Sequence, residues 1–154
     1  MIQRIQSIFI LVAILLMCSL IAWPIDSFAS AKGIMELRWN GFWDVTPGCQ
    51  DPLVRSLTPL AIVLLVAVIL NAVGLFLFKH RPLQMRMVGI AAGIEVCVTA
   101  LFVYLCVTAA GAMGSEFHFC LGWLTPLLAA VLDYLAYRRI SDDEALVKSL
   151  DRLR

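Results

Sequence analysis

The sequence predicts an all-α integral membrane protein with four transmembrane helices and both termini on the cytoplasmic side. It also predicts a small extracytoplasmic β-hairpin loop and a short cytoplasmic amphipathic helix at the C-terminus. Three observations carry this. Residues 57–78 contain no charged side chain and residues 87–115 contain only Glu95, so each run reaches the roughly 20 apolar residues that a helix needs to cross a bilayer. The connection between them, Lys79-His80-Arg81-Pro82-Leu83-Gln84-Met85-Arg86, is too short for a domain and carries three basic residues, the bias of cytoplasmic loops. The composition is 62% hydrophobic and only 15% charged, with a mean hydropathy of +0.91, far from the roughly 25% charged residues of soluble domains.

The first span is predicted over about residues 5–23, closed by Trp23-Pro24. A cleaved signal peptide is the rival reading, with Ala29-Ser30-Ala31 as an A-x-A site. Trp23-Pro24 and Asp26 separate the apolar stretch from that site by more than a usual spacer, which favours a retained helix. Residues 24–56 form the outer loop. Within it Ile34-Met35-Glu36-Leu37-Arg38-Trp39 and Phe42-Trp43-Asp44-Val45 alternate around Asn40-Gly41, the dipeptide of a type I′ hairpin turn. An isolated hairpin is marginal in water, so it is expected to lie against the outer helix ends. Trp23, Trp39, Trp43 and Trp123 are expected at the same interface, as an aromatic belt.

The second span covers about residues 57–78, with Pro59 tolerated in its first turn. The third covers about 87–110 and the fourth about 117–137, with a bend expected at Pro126. Arg4, Lys79, Arg81, Arg86, Arg138, Arg139, Lys148, Arg152 and Arg154, nine of twelve basic residues, then fall on one side. The whole chain is one membrane domain. Ser141-Asp142-Asp143-Glu144 reads as a capping box opening a separate tail helix over 142–154, with Leu146, Val147, Leu150 and Leu153 on its apolar face.

Polar groups inside the spans are the functional candidates, because an ionisable side chain at a helix centre costs at least ~2.5 kcal/mol on insertion scales. Asn71 and Glu95 fall at similar depth, about 12–13 Å in from the basic loop at 1.5 Å per residue. Asp133 is shallower and within reach of the inner interface. Asn71 shares a small-residue stripe with Ala67 and Gly74, while Glu95 lines up with Thr99, Phe102 and Cys106. One reading makes the three polar residues a proton or cation relay. The other makes Asn71 and Glu95 an interhelical hydrogen bond and Asp133 an Arg-paired or snorkelling end residue. Gly89-Ile90-Ala91-Ala92-Gly93 is a G-x-x-x-G motif, continued by Val96, Ala100 and Val107, which marks close helix packing within or between chains.

Among five cysteines there is no C-x-x-C. Cys18, Cys97 and Cys106 read as membrane-buried small residues, and Cys49 and Cys120, both outer, are the candidate disulfide. Glu116, His118 and Cys120 alternate, but a helical start splays them and no second ligand pair exists. No phosphate loop, nucleophile elbow or H-E-x-x-H occurs. The sequence thus predicts no catalytic residue, no cofactor and no metal. The basic residues are those expected beside spans, so nucleic acid is not an expected partner. The expected partners are the lipid bilayer and other membrane subunits or further copies of the chain.

Met1-Ile2-Gln3-Arg4-Ile5-Gln6-Ser7, Phe78-Lys79-His80-Arg81-Pro82-Leu83-Gln84-Met85-Arg86 and the closing Asp151-Arg152-Leu153-Arg154 resemble a domain-of-unknown-function family of short four-span inner-membrane proteins from Gram-negative bacteria. The resemblance implies a four-helix membrane protein and supplies no activity or site. A weaker likeness, Gly41-Phe42-Trp43 followed by Cys49, is to claudin-type four-span proteins, whose second loop cysteine is missing here; it is architectural analogy only. The expected function is a non-enzymatic accessory or assembly subunit of an inner-membrane complex. The alternative is a small proton- or ion-coupled transporter using Asn71, Glu95 and Asp133.

Overall fold

The computed structural model describes residues 2–30, 33–48, 53–78, 80–114 and 121–152. Its elements in chain order are α1 (Ile2–Ala22), β1 (Asp26–Ser30), β2 (Gly33–Arg38), β3 (Gly41–Asp44), β4 (Leu53–Ser56), α2 (Thr58–Phe76), α3 (Arg81–Met113) and α4 (Leu121–Arg152). The four helices pack side by side, with α3 against α4 and α2, and α1 against α4 and α2. The strands form a cap at one end.

Two features overturn the expectation of an all-α, four-span protein. Among the described residues three helices, not four, are long and apolar enough to cross a membrane: α1 through Ile5–Ala22, α2 through Thr58–Phe76 and α3 through Arg81–Met113. The physical reason is composition. Thr125, Pro126 and Asp133 dilute the apolar content of α4, and from Arg138 onward its polar and charged residues outnumber the apolar ones. By contrast α2 carries no charged residue at all. The outer loop, moreover, is a four-stranded antiparallel sheet in the order β1-β2-β3-β4 and not a lone hairpin. A two-stranded ribbon has too little packing to persist alone, and two further strands supply it.

The central hairpin forms from the expected strands, but its turn is shifted. Arg38 pairs with Gly41, leaving Trp39-Asn40 as the turn residues, and neither of them has positive φ, so this is not a type I′ turn. Gly41 is required for another reason: a Cβ there would stand 2.5 Å from the carbonyl oxygen of Arg55 on the neighbouring strand. Asn40 is held on both sides, its carbonyl accepting from the Leu57 amide at 2.8 Å and its side chain from Trp43 Nε1 at 3.0 Å. The β3–β4 ladder is irregular beside Phe42 and Trp43. Ala29 and Ser30, of the alternative cleavage site, lie in β1 paired with Ile34 and Gly33.

The inner face of the sheet adds Phe28, Leu37 and Phe42, together with Ile25 just before β1, to a core continued by Ala110, Cys106 and Phe102 of α3. Trp23, Trp39 and Trp43 meet around a cleft of about 160 Å³ at this end. At the opposite end Gln6 Nε2 donates to Asp143 Oδ2 at 2.5 Å. Arg81 reaches the Asp143 carbonyl at 3.4 Å. The start of α1, the start of α3 and the later part of α4 therefore share one end, away from the sheet.

The basic connection is shorter than expected because α3 begins at Arg81, with Pro82 in its first turn, where proline loses no helical hydrogen bond. The C-terminal segment is likewise no separate helix: α4 runs unbroken through Ser141. The buried stripe Ala129, Asp133, Ala136, Ile140 continues past Arg139 at helical spacing, and no glycine or proline follows Pro126 to stop it. Ser141 therefore follows residues already helical and cannot act as a cap.

Candidate functional site

Each helix turns a buried stripe inward, with small residues at some of its positions. On α2 it is Leu64, Ala67, Asn71 and Gly74, and on α3 it is Val88, Ala91, Glu95, Val98 and Phe102. On α1 it is Ile10, Ala13 and Met17. Small residues let the backbones approach: a Cβ on Gly74 would stand 3.0 Å from Val88 Cγ2. Apolar side chains point outward instead, with Leu15 60% and Ile69 58% exposed. That inversion of the soluble pattern is what a lipid solvent permits.

Asn71, Glu95 and Asp133 stand where the stripes of α2, α3 and α4 meet, each fully buried. The Asn71 amide donates to Glu95 Oε1 at 3.0 Å. Thr99 Oγ1 donates to the Glu95 carbonyl at 2.8 Å, tying the acid's backbone to the next turn. Asp133 is close enough to act electrostatically on Glu95 and to feel the Asn71 amide. Its geometry closes no hydrogen bond, however, and both of its carboxyl oxygens, together with Glu95 Oε2 and Asn71 Oδ1, are buried without a partner. The sequence put Asp133 near an interface; in the fold it lies in the interior and forms no ion pair among the described residues. Its joining Asn71 and Glu95 is the part of the site that spacing along one helix could not reveal.

The remaining candidates lie apart. Gly89 and Gly93 are exposed on the outer face of α3 with Val96, Ala100 and Val107. A Cβ on Gly89 would meet only the Tyr137 ring, at 3.8 Å, and one on Gly93 nothing within 4 Å. Beside Gly89 a cleft of about 510 Å³ opens between Met85, Tyr137 and Glu144. Cys18 and Cys97 are exposed and Cys106 is buried. Cys49, Cys120, Glu116 and His118 lie outside the described residues, as does Lys79. Among the described residues no group of three His, Cys, Asp or Glu could hold a metal ion.

Residues 2–153 match the family model described as Domain of unknown function (DUF4293). The chain belongs to that family. No curated protein matches it. Membership spans nearly the whole chain, so the bundle, the sheet and the buried polar cluster all lie within one family domain. Its description assigns no chemistry, and a function has to be argued from the side chains.

Proposed function

We propose that the protein is a non-enzymatic accessory or assembly subunit of a complex in the bacterial inner membrane, docking through the outer face of α3. The observation that carries this is the Gly89–Gly93 face. A G-x-x-x-G motif makes room for a neighbouring helix backbone, and among the described residues nothing fills that room at Gly93. The apolar outward faces of α1, α2 and α3 support a lipid surrounding.

The shared end of α1, α3 and α4 carries exposed Arg86, Arg138 and Arg139, which supports a cytoplasmic position for that end and for both termini. In the test, the protein is extracted in mild detergent and the mass of the extracted particle is measured. A particle larger than the monomer that dissociates with Gly93→Leu, at unchanged thermal stability, is the expected result. A wild-type monomer under the same conditions overturns the reading. An impermeant thiol reagent reaching Arg81→Cys from the periplasm reverses the orientation.

A second reading, a small proton- or ion-coupled transporter using Asn71, Glu95 and Asp133, is favoured by the full burial of both acids together with Asn71. Glu95→Gln would then abolish a pH-dependent flux in reconstituted vesicles. An unchanged flux removes Glu95 from any such path.

A further inference from the structure

The buried cluster presents an accounting problem. Carboxylates are acceptors only, and the Asn71 amide is the sole side-chain donor of the three. One of its hydrogens is committed to Glu95 Oε1 at 3.0 Å. Four acceptor atoms remain: Asn71 Oδ1, Glu95 Oε2 and both oxygens of Asp133. Orphaned polar atoms of this kind each carry a desolvation penalty that nothing in the fold repays.

The surroundings offer no remedy. No lysine, arginine or histidine is among the described buried residues. The buried faces of α1 (Ile10, Ala13, Met17) and α2 (Ala67, Gly74) carry no titratable group. Among the described residues of α3 and α4 the buried titratable side chains are Glu95 and Asp133 themselves and Cys106, which lies about 16 Å along the helix from Glu95 at 1.5 Å per residue. Asp26, the remaining buried acid among the described residues, belongs to the sheet.

We propose that Asn71, Glu95 and Asp133 form a proton-binding site that holds two protons and closes a ring of three hydrogen bonds across α2, α3 and α4. One proton sits on Glu95 Oε2 and is donated to an Asp133 oxygen. The other sits on the second Asp133 oxygen and is donated to Asn71 Oδ1. With the existing Asn71–Glu95 bond, all four orphaned atoms are engaged and the cluster is uncharged. A single proton falls short on both counts. Even with the second amide hydrogen turned to Asp133, one of the four atoms stays unpaired and one negative charge stays uncompensated. The ring needs neither transport nor a partner chain, so it stands apart from the docking reading.

Infrared spectroscopy of the full-length protein in an ester-free detergent at neutral pH tests this directly. The expected spectrum contains a carbonyl band of un-ionised carboxylic acid worth two groups per chain, shifted on exchange into deuterium oxide. Glu95→Gln and Asp133→Asn, whose amides still donate, are each expected to remove about half of it. A wild-type spectrum without the band overturns the proposal even if neither variant folds. So does a band that both variants leave intact, or one that disappears when Na⁺ is added, which would make the ligand a metal ion.

Discussion

The backbone of Ile25, between α1 and β1, runs directly against Gly122 in the first turn of α4, so that a Cβ at position 122 would overlap the Ile25 carbonyl. Ile25 cannot retreat, because its side chain is fully buried and its amide is bonded to the Leu37 carbonyl at 2.7 Å. Gly122→Ala is therefore expected to cost about 1–3 kcal/mol, the range for overpacking a filled site. A thermal melt of the detergent-solubilised protein reads the loss. An unchanged melting temperature would mean that α4 does not meet the sheet in this way.

Gly122 is also the carbonyl that Pro126 leaves without its helical partner, since proline has no N–H to return four residues back. Thr125 Oγ1 donates to that carbonyl at 2.8 Å and keeps α4 continuous through Pro126. Thr125→Val preserves the shape and deletes the donor, at an expected cost of about 1 kcal/mol. In a Pro126→Ala background, where the amide is restored, the same substitution should become nearly neutral. Equal losses in both backgrounds would show that the hydroxyl is not replacing the missing bond.

What the sequence revealed and what it hid follow from how far each signal reaches. Hydropathy placed α1, α2 and α3, and their inward stripes at Asn71 and Glu95, because lipid imposes a long uniform run that one chain segment carries alone. The central strands were visible through alternation around Asn40-Gly41, but the turn register depends on Arg55 of a strand that the hairpin signal does not contain. Strands β1 (DSFAS) and β4 (LVRS) are four or five residues long with weak periodicity. The one sign of them was the length of the loop itself, since a long structureless connection is uncommon in a compact fold. Asp133 joined the site through tertiary packing of α4, and nothing in the spacing of α4 states which helix faces it.

Gly74 and Gly93 make a controlled comparison. A methyl at Gly74 would press on Val88, which is fully buried and β-branched, so its χ1 has little freedom to yield. Gly74→Ala should lower stability by about 1 kcal/mol after the usual helix-propensity gain of alanine. Gly93→Ala meets open space and should leave the monomer as stable or slightly more so, while weakening any particle held together through that face. If both substitutions move the melting temperature equally, the two faces are not distinguished as they are here.

The Asn71–Glu95 bond separates most cleanly from its background in a double-mutant cycle. Asn71→Leu removes the donor while keeping the same γ-branched heavy-atom count, and should cost about 1 kcal/mol. Interhelical polar contacts in membranes average about 0.6 and reach about 1.7 kcal/mol. Glu95→Leu alone leaves Asn71 without its acceptor and should also destabilise. The bond they share is counted in both single losses, so the double variant should be more stable than the sum of the two losses predicts. The exposed Arg38–Glu36 pair in β2, 2.9 Å apart with Arg38 44% exposed, is the control. Its deletion should cost under about 1 kcal/mol with coupling lost in salt, whereas the buried pair should keep its coupling at high salt. A coupling of zero between Asn71 and Glu95 would remove the first bond of the proposed ring.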